Sequence, residues 1–150
     1  MSVDLDDLDQ LIITRLQENA RTPFSKIAKE AGVSEATVFL RVKRLRQIGV
    51  VKAFRAIVSP SKVGKSLTAF ILVRADPRKY TEVLSVVRNL VEVTEAYDVT
   101  GPYYLILRVD VSNKESLAKV IDLIGAVDGV SSTETAIVLK EVKENVGIKL

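Results

Sequence analysis

Arg41, Lys43, Arg44, Arg46, Lys52 and Arg55 fall within residues 34–55, where Glu35 is the single acidic residue. Such a local excess of positive charge attracts phosphates. At 100° per residue on a helix, Val38, Val42 and Leu45 cluster on one side, whereas Thr37, Leu40, Arg44 and Gln47 point the opposite way. That outer face carries the chemistry to read base edges in a major groove. Arg44 suits guanine or a phosphate, Leu40 a thymine methyl, and the flanking Arg41 and Lys43 are placed for phosphates. Phe39, at the side of the helix, is expected in the core against the first helix. The bland alternative for the whole stretch is a solvated basic face.

The elements around these residues have separate physical causes. Residues 22–49 read as a short helix, a glycine turn and a longer basic helix, which is a helix-turn-helix. Pro23 suits the first turn, where no backbone N–H is needed; Gly32 supplies the turn, and Ser34 caps the second helix. Upstream, acidic residues between Asp4 and Asp9 lead into Leu8, Leu11, Ile12 and Leu16. An amphipathic helix is therefore expected from near Asp6, with carboxylates at its positive end, stopping before Pro23. Asp6 and Asp7 read better as a helix start than as an acid/base pair. After Gly49, residues 50–58 are β-branched and partly alternating, which predicts a strand serving as wing or linker. Residues 59–66 are rich in turn formers and lysine and mark a boundary. Gly64-Lys65-Ser66 within them resembles the end of a P-loop, but Ser59 stands where the first glycine is required and a strand follows, so nucleotide binding is not expected.

From Leu67 the pattern repeats with a period near 35 residues. Strand-like residues 69–74, a helical stretch 80–90 and a strand 93–99 are followed by strand-like 104–109, a helical stretch 115–125 and a strand 132–142. This order predicts an α+β chain: an N-terminal helix-turn-helix domain over residues 1–50, a strand and linker over 51–66, and a ferredoxin-like βαββαβ domain over 67–150. The first strand of each half is apolar at successive positions, so both its faces want burial. With both helices on one side, a second copy of the chain is the simplest cover for the other, and two-fold symmetry suits a palindromic DNA site. A homodimer follows from this reasoning.

Composition narrows the function classes. The 150 residues are 47% hydrophobic and include no cysteine and no histidine. Disulfides, thiolate chemistry, the usual zinc ligands and the His-dependent nucleophile triads are thereby excluded; no metal site, catalytic residue or cofactor is expected. The net charge of +3 is uneven: residues 1–60 hold ten Lys/Arg against seven Asp/Glu, while the remainder holds twelve of each. No apolar run approaches the ~20 residues of a bilayer span. The acidic start, residues 1–7, is unlike a basic signal peptide, so a cytoplasmic location is expected.

Residues 97–104, Tyr-Asp-Val-Thr-Gly-Pro-Tyr-Tyr, join a glycine turn to three aromatics between two strands. Gly101-Pro102 reads equally as a tight turn and as a cradle whose backbone N–H groups receive a carboxylate. Thr133 and Thr135 on the last strand add hydroxyls within reach of a small polar ligand.

Together these residues resemble the Lrp/AsnC, or feast/famine, family of prokaryotic transcription regulators. The resemblance runs through Leu5-Asp6-Asp7-Leu8-Asp9, Ile27-Ala28, Val33-Ser34, Val38, Arg41-Val42 and Arg44-Leu45, and Gly49-Val50-Val51, then Thr100-Gly101 and Gly129-Val130 ahead of Thr133-Glu134-Thr135. It implies a ferredoxin-like domain that senses amino acids, and dimers assembling into octamers or similar rings with effector held between dimers. At the turn this chain departs from the family, with Pro102 and Tyr104 where acidic residues commonly follow the glycine. The leading expectation is a DNA-binding transcription regulator, not an enzyme. Its DNA contacts are Ser34, Thr37, Leu40, Arg41, Lys43, Arg44 and Gln47. Its amino-acid effector is expected at Gly101, Pro102, Tyr103 and Tyr104 with Asp122, Thr133 and Thr135, where Asp122 is the counter-charge for the α-ammonium. The hydroxyls suggest an uncharged polar side chain such as that of glutamine. The alternatives are an architectural DNA-binding protein with little sequence preference and an amino-acid-binding allosteric subunit.

Overall fold

The structure, a computed structural model, describes residues 3–144 and 147–150; the first two residues of the acidic N-terminal stretch lie outside them. It divides into two compact units, residues 1–57 with 143–150 and residues 58–142.

The first unit is a three-helix head. Helix α1 spans Asp7–Glu18, and the Asp6 carboxylate accepts the Asp9 N–H at 2.9 Å, satisfying one of the donors that a helix start leaves unpaired. Helix α2 spans Phe24–Ala31, with Pro23 at its N-cap, one position ahead of the first turn expected for it. Gly32 ends it at φ +68°, a left-handed conformation that suits glycine. Helix α3 spans Glu35–Gln47, and Ser34 Oγ accepts the Thr37 N–H at 3.1 Å. The apolar stripes of the three helices meet in one cluster of Ile12, Ile13, Leu16, Ile27, Ala28, Val38, Val42 and Leu45. Each fully buried leucine or isoleucine there contributes about 1.5–3 kcal/mol.

One expectation is corrected in this unit. Residues 52–59 form no strand and are exposed; the chain turns at Gly49, Val51 donates its N–H back to Leu45 O at 3.0 Å, and no neighbouring strand offers a ladder. The C-terminal residues 147–150 group by contacts with the three helices. The Gln17 side-chain amide donates to Ile148 O at 3.0 Å and accepts the Ile148 N–H at 2.6 Å, imitating one rung of a sheet.

The second unit is an antiparallel sheet in the order β2-β3-β1-β4, from β1 Leu67–Ala75, β2 Val93–Asp98, β3 Leu105–Val111 and β4 Val130–Ile137. Helices α4, Tyr80–Asn89, and α5, Lys114–Gly125, cover one face. Ala69, Ile71 and Val73 of β1 and Leu105, Leu107, Val109 and Val111 of β3 pack under Val83, Val87, Leu117, Val120 and Ile124. The intervening residues Phe70, Leu72 and Ile106 lie on the other face, where among the described residues of this unit no helix packs and all three stay partly exposed. Asp110 on that face is buried but accepts from Thr68 Oγ1 at 2.6 Å and Thr94 Oγ1 at 2.9 Å. Strand β4 stops at Ile137, short of the expected 142, because its last partner is Ala69, near the start of β1. Gly64 closes a short 3-10 turn over Pro60–Val63, and β1 rather than a phosphate-capping helix follows.

Candidate functional site

On α3 the apolar side is consumed by the core, and what remains defines a reading face. Leu40 is 62% exposed at its centre, with Lys43 and Gln47 one and two turns on and Ala36 one turn before. Ser34 and Thr37, joined by hydroxyls 2.8 Å apart, close its N-terminal end, leaving Thr37 half-buried. Phe39 is not core: it is 55% exposed and meets Phe24 at the start of α2, not the first helix, with ring centroids 6.5 Å apart. The reason is angular. Phe39 follows Val38 by 100° and so leaves the stripe that faces α1. Beside it Arg46 lies over the Phe54 ring at 5.9 Å, and a groove of about 490 Å³ runs between Phe24, Phe39, Phe54, Lys43 and Lys52.

Arg41 and Arg44 are held differently. Arg44 Nη1 lies 2.9 Å and Arg41 Nη1 3.2 Å from the two oxygens of Asp9, which is 1% exposed, and Arg41 Nη1 also lies 2.6 Å from Asp6 Oδ2. The Asp9 backbone N–H and then the Arg41 guanidinium hold the Asp6 carboxyl below its ordinary value, and Asp6 in turn raises Arg41. Residue periodicity carried a signal for this arrangement. Asp9 precedes Ile12, Ile13 and Leu16 by three, four and seven positions and so sits in the buried stripe.

In the second unit the turn between β2 and β3 is built on Gly101, at φ +113°. Tyr104 donates its N–H to Val73 O at 2.8 Å and accepts from Val99 at 3.1 Å. Pro102 has no N–H. The N–H groups of Gly101 and Tyr103 are left without a partner among the described residues, so two of the turn's donors remain for a carboxylate. Arg74 lies over the Tyr103 ring at 4.9 Å, and the Tyr104 ring meets Tyr80, whose hydroxyl donates to Asp98 at 2.5 Å. That bond raises the Tyr80 phenol above its ordinary value, with burial adding to it. Thr133 pairs with Val73, the residue that also receives Tyr104, and Thr135 with Ile71. Asp122 stands exposed in the last turn of α5.

Two family models match the chain in turn. The AsnC-type helix-turn-helix domain matches residues 5–46, and the Lrp/AsnC ligand binding domain matches residues 68–148. The chain belongs to the Lrp/AsnC family of transcription regulators. It is 42% identical over 144 residues to the HTH-type transcriptional regulator FL11 of Pyrococcus horikoshii, covering 96% of this chain and 95% of that one. It is 37% identical over 138 residues to the regulatory protein AsnC of Escherichia coli, 91% of each chain. The solved structure of E. coli AsnC superposes with a TM-score of 0.88 at 35% identity, covering 95% of this chain and 97% of that one. A Neisseria meningitidis transcriptional regulator, crystallised as a complex with L-methionine, superposes with a TM-score of 0.90 at 27% identity over 97% of each chain. As a transcription regulator of this family, the chain is not an enzyme. No helix among its described residues is long and apolar enough to cross a membrane.

Around the turn of this Lrp/AsnC regulator, Arg74, Tyr80 and Asp98 join the expected residues. Asp98 lies three residues before Gly101, whereas Arg74 and Tyr80 belong to β1 and α4, so no local spacing connects them to the turn. In the helix-turn-helix the added residue is Asp9.

Proposed function

We propose that this Lrp/AsnC regulator binds double-stranded DNA sequence-specifically with α3 in the major groove, and that a free amino acid, glutamine by the chemistry of the hydroxyls of Thr133, Thr135, Tyr103 and Tyr104, tunes that binding. The observation that supports DNA reading most directly is Leu40, a large apolar side chain exposed at the centre of a capped helix between cationic and amide side chains. Leu40 and Gln47 face the bases, with Ser34 and Thr37 at the phosphate end of the helix, Arg44 on the same face beside Leu40, and Arg41 and Lys43 flanking it for phosphates. The amino acid's α-carboxylate goes to the Gly101 and Tyr103 N–H groups beside Pro102 and Tyr104; Asp122 takes the α-ammonium, and Thr133 and Thr135 the side chain. The L-methionine held by the Neisseria relative supports an amino acid as the class of effector.

The uncovered sheet face around Phe70, Leu72 and Ile106 supports a homodimer built there, assembling further into an octamer or a similar ring, in the cytoplasm. Isothermal titration of the full-length protein with each of the twenty amino acids, together with fluorescence anisotropy on a selected and a random duplex, tests the reading. Heat from an uncharged polar amino acid, and a shift in affinity for the selected duplex on adding it, are expected. No heat from any amino acid up to millimolar concentration removes the effector. Equal affinity for both duplexes removes sequence-specific reading and leaves an architectural DNA-binding protein.

A further inference from the structure

We propose that Arg44 and Arg41 are positioning residues held by Asp9, fixing α3 on α1, and that base selection falls instead to Leu40 and Gln47, with Lys43 at the phosphates. The inference rests on the reading of α3 as the groove helix and assigns its residues differently from their order of charge. Asp9 is a carboxylate 1% exposed in a core of isoleucine, valine and leucine, with Arg41 and Arg44 as its cationic partners. An unpaired charge at such a place is strongly unfavourable, so an arginine that swung out to a guanine would leave Asp9 short of a counter-charge. A side chain in the groove gains from base contacts only what that release does not cost.

The same geometry alters the electrostatic footprint. Asp6 and Asp9 face Arg41 and Arg44, whereas Lys43 and Arg46 have no carboxylate partner among the described residues. Lys43 therefore meets DNA with its full charge. Gln47, exposed beyond Leu40 on the same face, presents an amide whose donor and acceptor match the N6 and N7 edge of adenine.

The test is anisotropy of the full-length protein on a selected duplex and its single-base-pair variants, across a salt series, with melting curves to follow the fold. Arg44→Ala is expected to weaken binding to every duplex by a common factor, to keep the base preference and salt slope of the parent, and to lower the melting temperature. Lys43→Ala lowers the salt slope by about one, and Gln47→Ala abolishes a preference of about 5- to 150-fold at one base pair. Asp9→Asn frees both arginines and steepens the slope; should it unfold the head, that loss is itself the behaviour of a buried clamp, and the Arg44→Ala measurements stand alone. Loss of preference at a single base pair in Arg44→Ala, or a slope lower by about one, overturns the proposal. A parent protein without base preference refutes sequence-specific reading, and the clamp is then still decided by the salt slope and melting of Arg44→Ala.

Discussion

Leu40 and Leu45 lie five residues apart on α3 with opposite environments, 62% and 0% exposed, and the fold assigns them different work. Truncating Leu45 to alanine removes an isopropyl group from the cluster with Ile12, Ile27 and Val38, which costs about 2–5 kcal/mol. The three-helix unit of roughly 65 residues has about 3–10 kcal/mol to lose. Leu45→Ala therefore brings the head close to unfolding at room temperature and takes DNA binding with it. Leu40→Ala leaves stability within about 0.5 kcal/mol, since the side chain is already in water. Its effect appears only on DNA. Three carbons at ~0.8 kcal/mol each, about half covered by a thymine methyl, give a loss of about 1 kcal/mol, roughly fivefold in affinity. Urea unfolding followed by circular dichroism measures the first quantity and anisotropy the second, on duplexes carrying thymine or uracil. On the uracil duplex the parent binds as weakly as Leu40→Ala, and the variant loses nothing further. Equal losses for Leu40→Ala on both duplexes, or unfolding midpoints that fall alike for the two variants, would refute the assignment of faces.

Three other outcomes follow from particular contacts. Phe70→Glu places a charge in the uncovered sheet face, where Phe70 is 37% exposed, and should reduce the sedimenting mass of the full-length protein to that of a monomer; an unchanged mass rules out that face as the dimer contact. Gly129→Ala forces a side chain onto φ +99° and drives its Cβ into that of Lys79, so the second unit should lose about 1–3 kcal/mol, seen as a lower midpoint in urea, and an undiminished midpoint contradicts the backbone geometry. Asp6, Glu30 and Asp76 all have carboxyls held below their ordinary values, Asp6 first by the Asp9 N–H, Glu30 first by Arg15 and Asp76 first by Arg78. A carboxyl with a depressed folded value adds stability above its unfolded value and loses it as pH falls towards the folded one. Unfolding midpoints should therefore be level above about pH 5 and decline below it, and midpoints that rise on acidification would contradict these pairings.

Much of the architecture is legible residue by residue. Asp6, Gly32 and Ser34 announce helix ends because a cap or a left-handed turn is decided by three or four neighbours in the chain. The alternation of helix and strand from Leu67 onward fits a split βαβ, since both periodicities are carried within single elements. The turn at Gly101, with Asp98 three residues before it, is visible for the same reason, whereas Arg74 and Tyr80 around it are not, because they arrive from β1 and α4.

Local chemistry thus determines the helix-turn-helix, its capped third helix, the ferredoxin-like order of elements and the double-sided apolar strands. Tertiary structure alone decides that residues 52–59 lack a strand to pair with, that β4 ends at Ile137, and that Gln17 grips Ile148 from 131 residues away. It also decides what the arginines do. A guanidinium on a helix has the same reach whether it turns to a phosphate or to a carboxylate, and sequence spacing records only the reach. The buried Asp9, 32 and 35 residues distant from Arg41 and Arg44, supplies the energetic reason for one choice; its place in the apolar stripe is legible in the sequence, but its pairing with the arginines forms only when α1 packs against α3.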